Sequence, residues 1–226
     1  MAPVRPAARP GRGRVVPPLL AILLAFGAAP ARADDQAPES SPPKGRTATS
    51  IAGFVGGAAA GFLAHEGGHL FWNVVFDADP GVKRVSFGGI PFFAITHRSD
   101  VTPRQEFTIS SAGFWVQHAT SEWILTSHPD LRRRHAPVLK GWLAWNVAAS
   151  VAYGAAAFGT FGPPERDTRG MAGPLGVAEP WVGAMILAPA VLDTWRYVDP
   201  GARWPRWTSR IVKVGLVVAV VAANER

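Results

Sequence analysis

The segment Gly61 to Phe76, GFLAHEGGHLFWNVVF, holds two imidazoles and a carboxylate in an otherwise apolar run. Residues four apart on a helix share a face, so His65 and His69 can aim ring nitrogens at one cation while Glu66 stands beside it. A zinc ion held there lowers the pKa of water toward about 7, and Glu66 is placed to take the proton and pass it to a leaving amine. This spacing suits metal-assisted amide hydrolysis. The competing reading keeps both histidines neutral and hydrogen-bonded to neighbouring helices. An ionisable group at bilayer depth is costly, which favours a functional role if the run crosses a membrane.

Two histidines and a glutamate acting as base leave the coordination shell incomplete. Asp193, in MILAPAVLDTWRYVDP (Met185 to Pro200), is the expected third ligand, as the only acidic side chain within the fourth apolar run, Pro180 to Tyr197. If successive helices alternate direction, His69, His65 and Asp193 lie roughly 10, 16 and 20 Å from one membrane face, at about 1.5 Å per residue. The alternative for Asp193 is an ion pair with Arg196, one turn on. Gly57 and Gly61 precede His65 and let another backbone approach closely, as a packed metal site or an ordinary helix contact would require.

Five helices are expected to position these residues: about Ile51 to Phe76, Pro103 to Thr126 with Thr102 as N-cap, Ala136 to Phe161, Pro180 to Tyr197, and Trp207 to Ala223. Most are long enough to cross a hydrocarbon core of about 30 Å, the fourth only just. Val82 to His97 places β-branched and aromatic residues on both sides of Gly88-Gly89, which reads as a hairpin with an edge open to an extended polypeptide. Pro163 to Glu179 reads as a Gly/Pro-rich loop.

The 226 residues are 48% hydrophobic and only 17% charged, with the charges excluded from several long windows. That skew points to a membrane protein. The net charge of +7 is carried mainly by the N-terminal tail and the edges of apolar runs, so it speaks for orientation in a bilayer and not for a nucleic-acid partner. There is no cysteine, so a metal site must use histidine and carboxylate. Residues 1–33, with Arg5, Arg9, Arg12 and Arg14 before an apolar stretch and Ala31-Arg32-Ala33 at its end, read as a signal peptide or retained signal anchor. Residues 34–50 read as a disordered linker and 51–226 as the membrane-embedded domain. The basic loops around Arg132-Arg133-Arg134 and Arg196 to Lys213 both favour the cytoplasm, which starts the first helix there, whereas a cleaved signal starts it outside. Either signal removal or full crossing by the fourth helix must give way.

With AHEGGH (Ala64 to His69) in an early span, a hairpin-like insert after it, and Leu192-Asp193 shortly after a proline in a later span, residues 51 to 200 resemble the site-2-protease-like intramembrane zinc metalloproteases. The resemblance implies zinc bound by His65, His69 and Asp193, catalysis through Glu66, and a transmembrane segment of another protein as substrate. The family's Asn-x-x-Pro-x-Pro-x-Leu-Asp-Gly pattern is reduced here to Ala-Pro-Ala-Val-Leu-Asp-Thr, and an extra apolar helix intervenes.

Other polar residues have alternative readings. Gln117 and His118 can donate to an oxyanion, supply a ligand or bond between helices, and Asn146 is similarly open. His97, Arg98 and Asp100 read as a solvated loop, and His128 and His135 as interfacial. Trp72, Trp123, Trp142, Trp181, Trp204 and Trp207 fall near span ends and fit an aromatic belt. The expectation is thus an all-α polytopic protein of a bacterial inner membrane, acting as a zinc endopeptidase on a membrane helix. A non-enzymatic membrane protein that binds or transports the metal is the alternative.

Overall fold

The computed structural model describes residues 45–87 and 89–224. The expected targeting segment, 1–33, and residues 34–44 of the expected linker lie outside the described residues. The rest of that linker is helical, because α1 begins at Gly45 and runs to Val75. β1 (Gly81–Phe87) and β2 (Ile90–Thr96) follow. Then come α2 (Pro103–Ser127), α3 (Pro137–Gly159), α4 (Asp167–Leu175), α5 (Glu179–Val198) and α6 (Arg203–Asn224). The described chain is mostly helical, with one antiparallel hairpin.

Local signals account for most boundaries. Thr102 and Gln105 close a reciprocal capping box at the start of α2, with Pro103 in the first turn. Pro137 opens α3, which Thr160 ends in the left-handed region at φ 51°. Phe87 pairs with Ile90, leaving a two-residue connection in which Gly89 has φ 86°.

The main departure from expectation is α4. Its Gly and Pro content makes the segment read as a loop, yet Asp167 in its first turn and Gly176 after its last residue, at φ 65°, are ordinary start and stop marks. α4 meets α5 at 117°.

α1 packs between α2 and α3; α3 in turn packs on α5, and α2 on α4. The α1–α3 crossing is close because a Cβ on Gly57 would overlap the Val138 backbone and one on Gly141 the Phe54 backbone. Phe107 and Phe114 of α2, Met171 of α4, and Val182 and Ile186 of α5 form one buried cluster. Trp72, expected in an aromatic belt, is buried with Ala78, Ile109 and Ala112. Trp181, Trp204 and Trp207 are exposed.

Candidate metal centre

His65 and His69 stack along the inner face of α1 and are both buried. The His65 ring lies where a side chain on Gly113 of α2 would stand, so that glycine makes room for it. His69 Nδ1 donates to the Ile109 carbonyl at 2.7 Å. A carbonyl only accepts, so the neutral ring keeps its proton on Nδ1 and presents a lone pair at Nε2. That Nε2 lies 3.1 Å from His65 Nε2.

The carboxylate that meets both rings belongs to Asp167, not Asp193. Asp167 Oδ2 is 3.5 Å from His65 Nε2 and 3.4 Å from His69 Nε2. Among the described residues this is the one His/Asp/Glu group whose ligand atoms gather closely enough to hold a metal ion. A tetrahedral zinc with bonds of about 2.0–2.1 Å separates its ligand atoms by about 3.4 Å, so the three observed separations fit the group. With Nε2 unprotonated on both rings, the three acceptors repel one another, and a cation held between them relieves that repulsion.

Asp167 is held from both sides. Its neighbour Arg166 makes a two-pronged contact with Glu179, Nε to Oε1 at 2.6 Å and Nη2 to Oε2 at 2.5 Å, and Thr168 Oγ1 donates to the same carboxylate at 2.5 Å. The start of α5 thereby fixes the start of α4, and with it Asp167.

Asp193 occupies another place. Its Oδ1 accepts from Lys213 Nζ at 2.8 Å and Ser209 Oγ at 2.9 Å, and lies 3.5 Å from Arg196. Glu122 of α2 pairs with the same Arg196 and Lys213 and with Arg210. The expectation of Asp193 as third ligand is therefore corrected: the cations of α5 and α6 already neutralise it. The depth count assumed plain alternation of helices and lacked α4.

Glu66, the expected base, is half-buried beside the site. It lines a narrow pocket with His69, Tyr153 and Asp167, roofed by hairpin residues that include Phe93 and Ile95. Tyr153 stacks on His65 with ring centres 5.9 Å apart. Gln117 approaches His65 without closing a hydrogen bond, and both its amide atoms, like His65 Nδ1, are buried and unpartnered among the described residues. His118 is buried outside the ligand group. Asn146 bonds between helices, from Nδ2 to the Gln117 carbonyl at 3.1 Å and Ser121 Oγ at 2.9 Å.

His97, Arg98 and Asp100 lie in the loop after β2, the last two exposed as expected; His97 is half-buried, its Nε2 pairs with Glu106 Oε2 at 3.0 Å, and this contact raises its pKa above the ordinary histidine value against the opposing effect of burial. Lys83 of β1 pairs with Glu165 at 2.5 Å, joining the hairpin to the segment that leads into Asp167 and lowering the Glu165 pKa.

No family model, curated protein or solved structure matches this chain.

Proposed function

We propose that this chain is an integral membrane zinc-dependent endopeptidase of the site-2-protease-like kind, hydrolysing a peptide bond in or near a transmembrane segment. The observation that carries the reading is the convergence of His65 Nε2, His69 Nε2 and Asp167 Oδ2 at 3.1 to 3.5 Å, with Glu66 alongside. A bound zinc ion would act as a Lewis acid and lower the pKa of water toward about 7. Glu66 is placed to accept a proton from the attacking water and would return it to the departing amine. The Ile109 carbonyl keeps His69 in the tautomer that leaves Nε2 free, and the Glu179 clamp keeps Asp167 in place.

Membrane residence has its own support. Thr47–Val75 is long and apolar enough to cross a bilayer, and only 11% of its most apolar 18-residue window is buried within the chain. A core helix of a soluble protein would bury most of that surface. The bent pair α4 and α5 passes the same test taken together. α6 is inverted: Trp204, Trp207, Ile211, Val214 and Val218 form an exposed apolar stripe at helical spacing, while Ser209 and Lys213 turn inward.

Zinc stoichiometry tests the site. The wild type is expected to hold one zinc per chain and His65→Ala and Asp167→Asn to lose it. Asp193→Asn keeps the zinc, but loses stability on the order of 3–5 kcal/mol from its broken buried ion pairs. Glu66→Gln retains zinc and loses hydrolysis of a membrane-spanning peptide. Full zinc in Asp167→Asn would refute the ligand set. Metal movement across vesicles that persists in Glu66→Gln, without hydrolysis by the wild type, would favour the transport alternative.

A further inference from the structure

Glu66 stands between two spaces of opposite character. Toward α2 and α4, the narrow pocket above it adjoins a polar cavity of about 210 Å³ whose walls include His97, Glu106 and Ser110. Toward α3 lies an apolar cavity of about 320 Å³. Its inner end is His65 and Glu66, its wall is Trp145, Ala148 and Ala152, and the hairpin contributes Phe92. Ala148 and Ala152 are themselves exposed, so the cavity opens sideways between α1 and α3.

We propose that this cavity is a substrate subsite that takes one bulky apolar side chain, aromatic or branched aliphatic, from the residue beside the scissile bond. The inference rests on the hydrolase reading and adds what that reading leaves open, the chemical class of residue at the cut. Size argues for a large side chain: a dry cavity of about 150 Å³ lined by apolar groups already accommodates benzene, and this one has roughly twice that room. Chemistry argues against a charged or amide side chain, since beyond the catalytic carboxylate, His65, Tyr153 and the indole N–H of Trp145 the lining is alanine and phenylalanine, and its exposed surface is almost wholly apolar. Continuity with the site fixes the occupant, because a group lodged against Glu66 and His65 brings its own backbone to them. The small side chains of Ala148 and Ala152 leave the space open, so their size sets which residues enter. The polar cavity on the opposite side remains for water.

Binding without turnover is the first test. The full chain carrying Glu66→Gln is titrated with a short acetylated peptide amide that contains one 4-bromophenylalanine, and with its glycine counterpart. The bromine is expected to quench a component of tryptophan fluorescence that Trp145→Phe removes. Ala152→Leu, which fills the cavity, weakens that quenching about tenfold in affinity, and the glycine peptide does not quench. Undiminished quenching in both Ala152→Leu and Ala148→Leu overturns the subsite. Turnover is the second test: the wild type cuts peptides with Phe or Leu beside the bond faster than those with Gly, and Ala152→Leu reverses the order. Hydrolysis whose side-chain preference is unchanged by Ala152→Leu sinks the subsite and leaves the hydrolase reading standing. Bromophenyl binding at Trp145 with no hydrolysis by the wild type sinks the hydrolase reading and leaves an apolar binding site.

Discussion

To serve as a ligand, His65 has to keep its proton away from the metal. Its Nε2 faces His69 and Asp167, so the proton belongs on Nδ1, which is buried with no partner among the described residues. Metal-bound histidines characteristically give that second N–H to an acceptor that fixes the ring. The unpartnered Gln117 amide beside it is the acceptor within reach. Its Oε1 is the atom that would accept from His65 Nδ1. Gln117→Leu then has opposite effects on two properties. The metal-free protein loses an unsatisfied buried amide and keeps or gains thermal stability, while zinc affinity falls about 10- to 100-fold. Melting temperature without metal and zinc competition measured together check this; unchanged zinc affinity would make Gln117 a packing residue only. At this scale the sequence was informative where the chemistry is local. His65, Glu66 and His69 are fixed relative to one another by helical periodicity, so spacing alone reveals them. Asp167 lies about a hundred residues on, and its relation to the histidines depends on a short helix hidden by its own Gly and Pro residues. Asp193 shows the converse: standing alone among apolar neighbours suggests a ligand, but the cations that pair with it arrive partly from α6, which no local pattern around it announces.

Among the elements, the hairpin was legible because β-branched and aromatic residues flank a glycine pair, and its extent agrees with expectation to within a residue at each end. What fastens it was not legible, since each tie joins segments distant in sequence or conformation. Lys83 ties β1 to Glu165, and Arg98 N–H donates to the Ala78 carbonyl at 2.9 Å. His97, just after β2, pairs with Glu106 in the first turn of α2. This last tie is pH-dependent. Its folded-state pKa is raised above the unfolded value of about 6.5, so the native state binds more protons than the unfolded state across the interval between the two. The stabilisation is fully present below about pH 6.5 and is lost as pH rises through the folded value. Wild type should therefore exceed His97→Gln in melting temperature at pH 6, and the gap should narrow at pH 8.5. After correction for intrinsic base catalysis, amide protection in β2 should fall over the same interval in the wild type alone. A gap that stays constant with pH would remove the ion pair as its cause.

For the whole molecule, the decisive feature is where charge and apolar surface have gone. Glu122, Asp193, Arg196 and Lys213 are buried together, whereas Leu63, Phe71, Val74, Trp207 and Ile211 are exposed. In water this distribution is unfavourable on both counts, because buried ions give up hydration and exposed apolar groups order solvent. In a bilayer both preferences reverse: apolar stripes meet hydrocarbon, and ionic groups must find one another inside. The sequence carried the excess of apolar residues, but could not say which face of α6 turns inward, because its tryptophan stripe and its Ser209–Lys213 face are equally regular. The absence of cysteine allows a clean test with single-cysteine variants in intact proteoliposomes. Leu63→Cys and Ile211→Cys, both on exposed apolar faces, should resist a water-soluble maleimide and react only after the bilayer is dissolved in detergent. Lys83→Cys, on the exposed side of the hairpin, should react when reagent is present on the side of the membrane that carries it. Supplying reagent on both sides removes orientation from the comparison. Prompt labelling at 63 and 211 to the extent seen at 83 would place those stripes in water and contradict the membrane reading, whatever the metal content of the site.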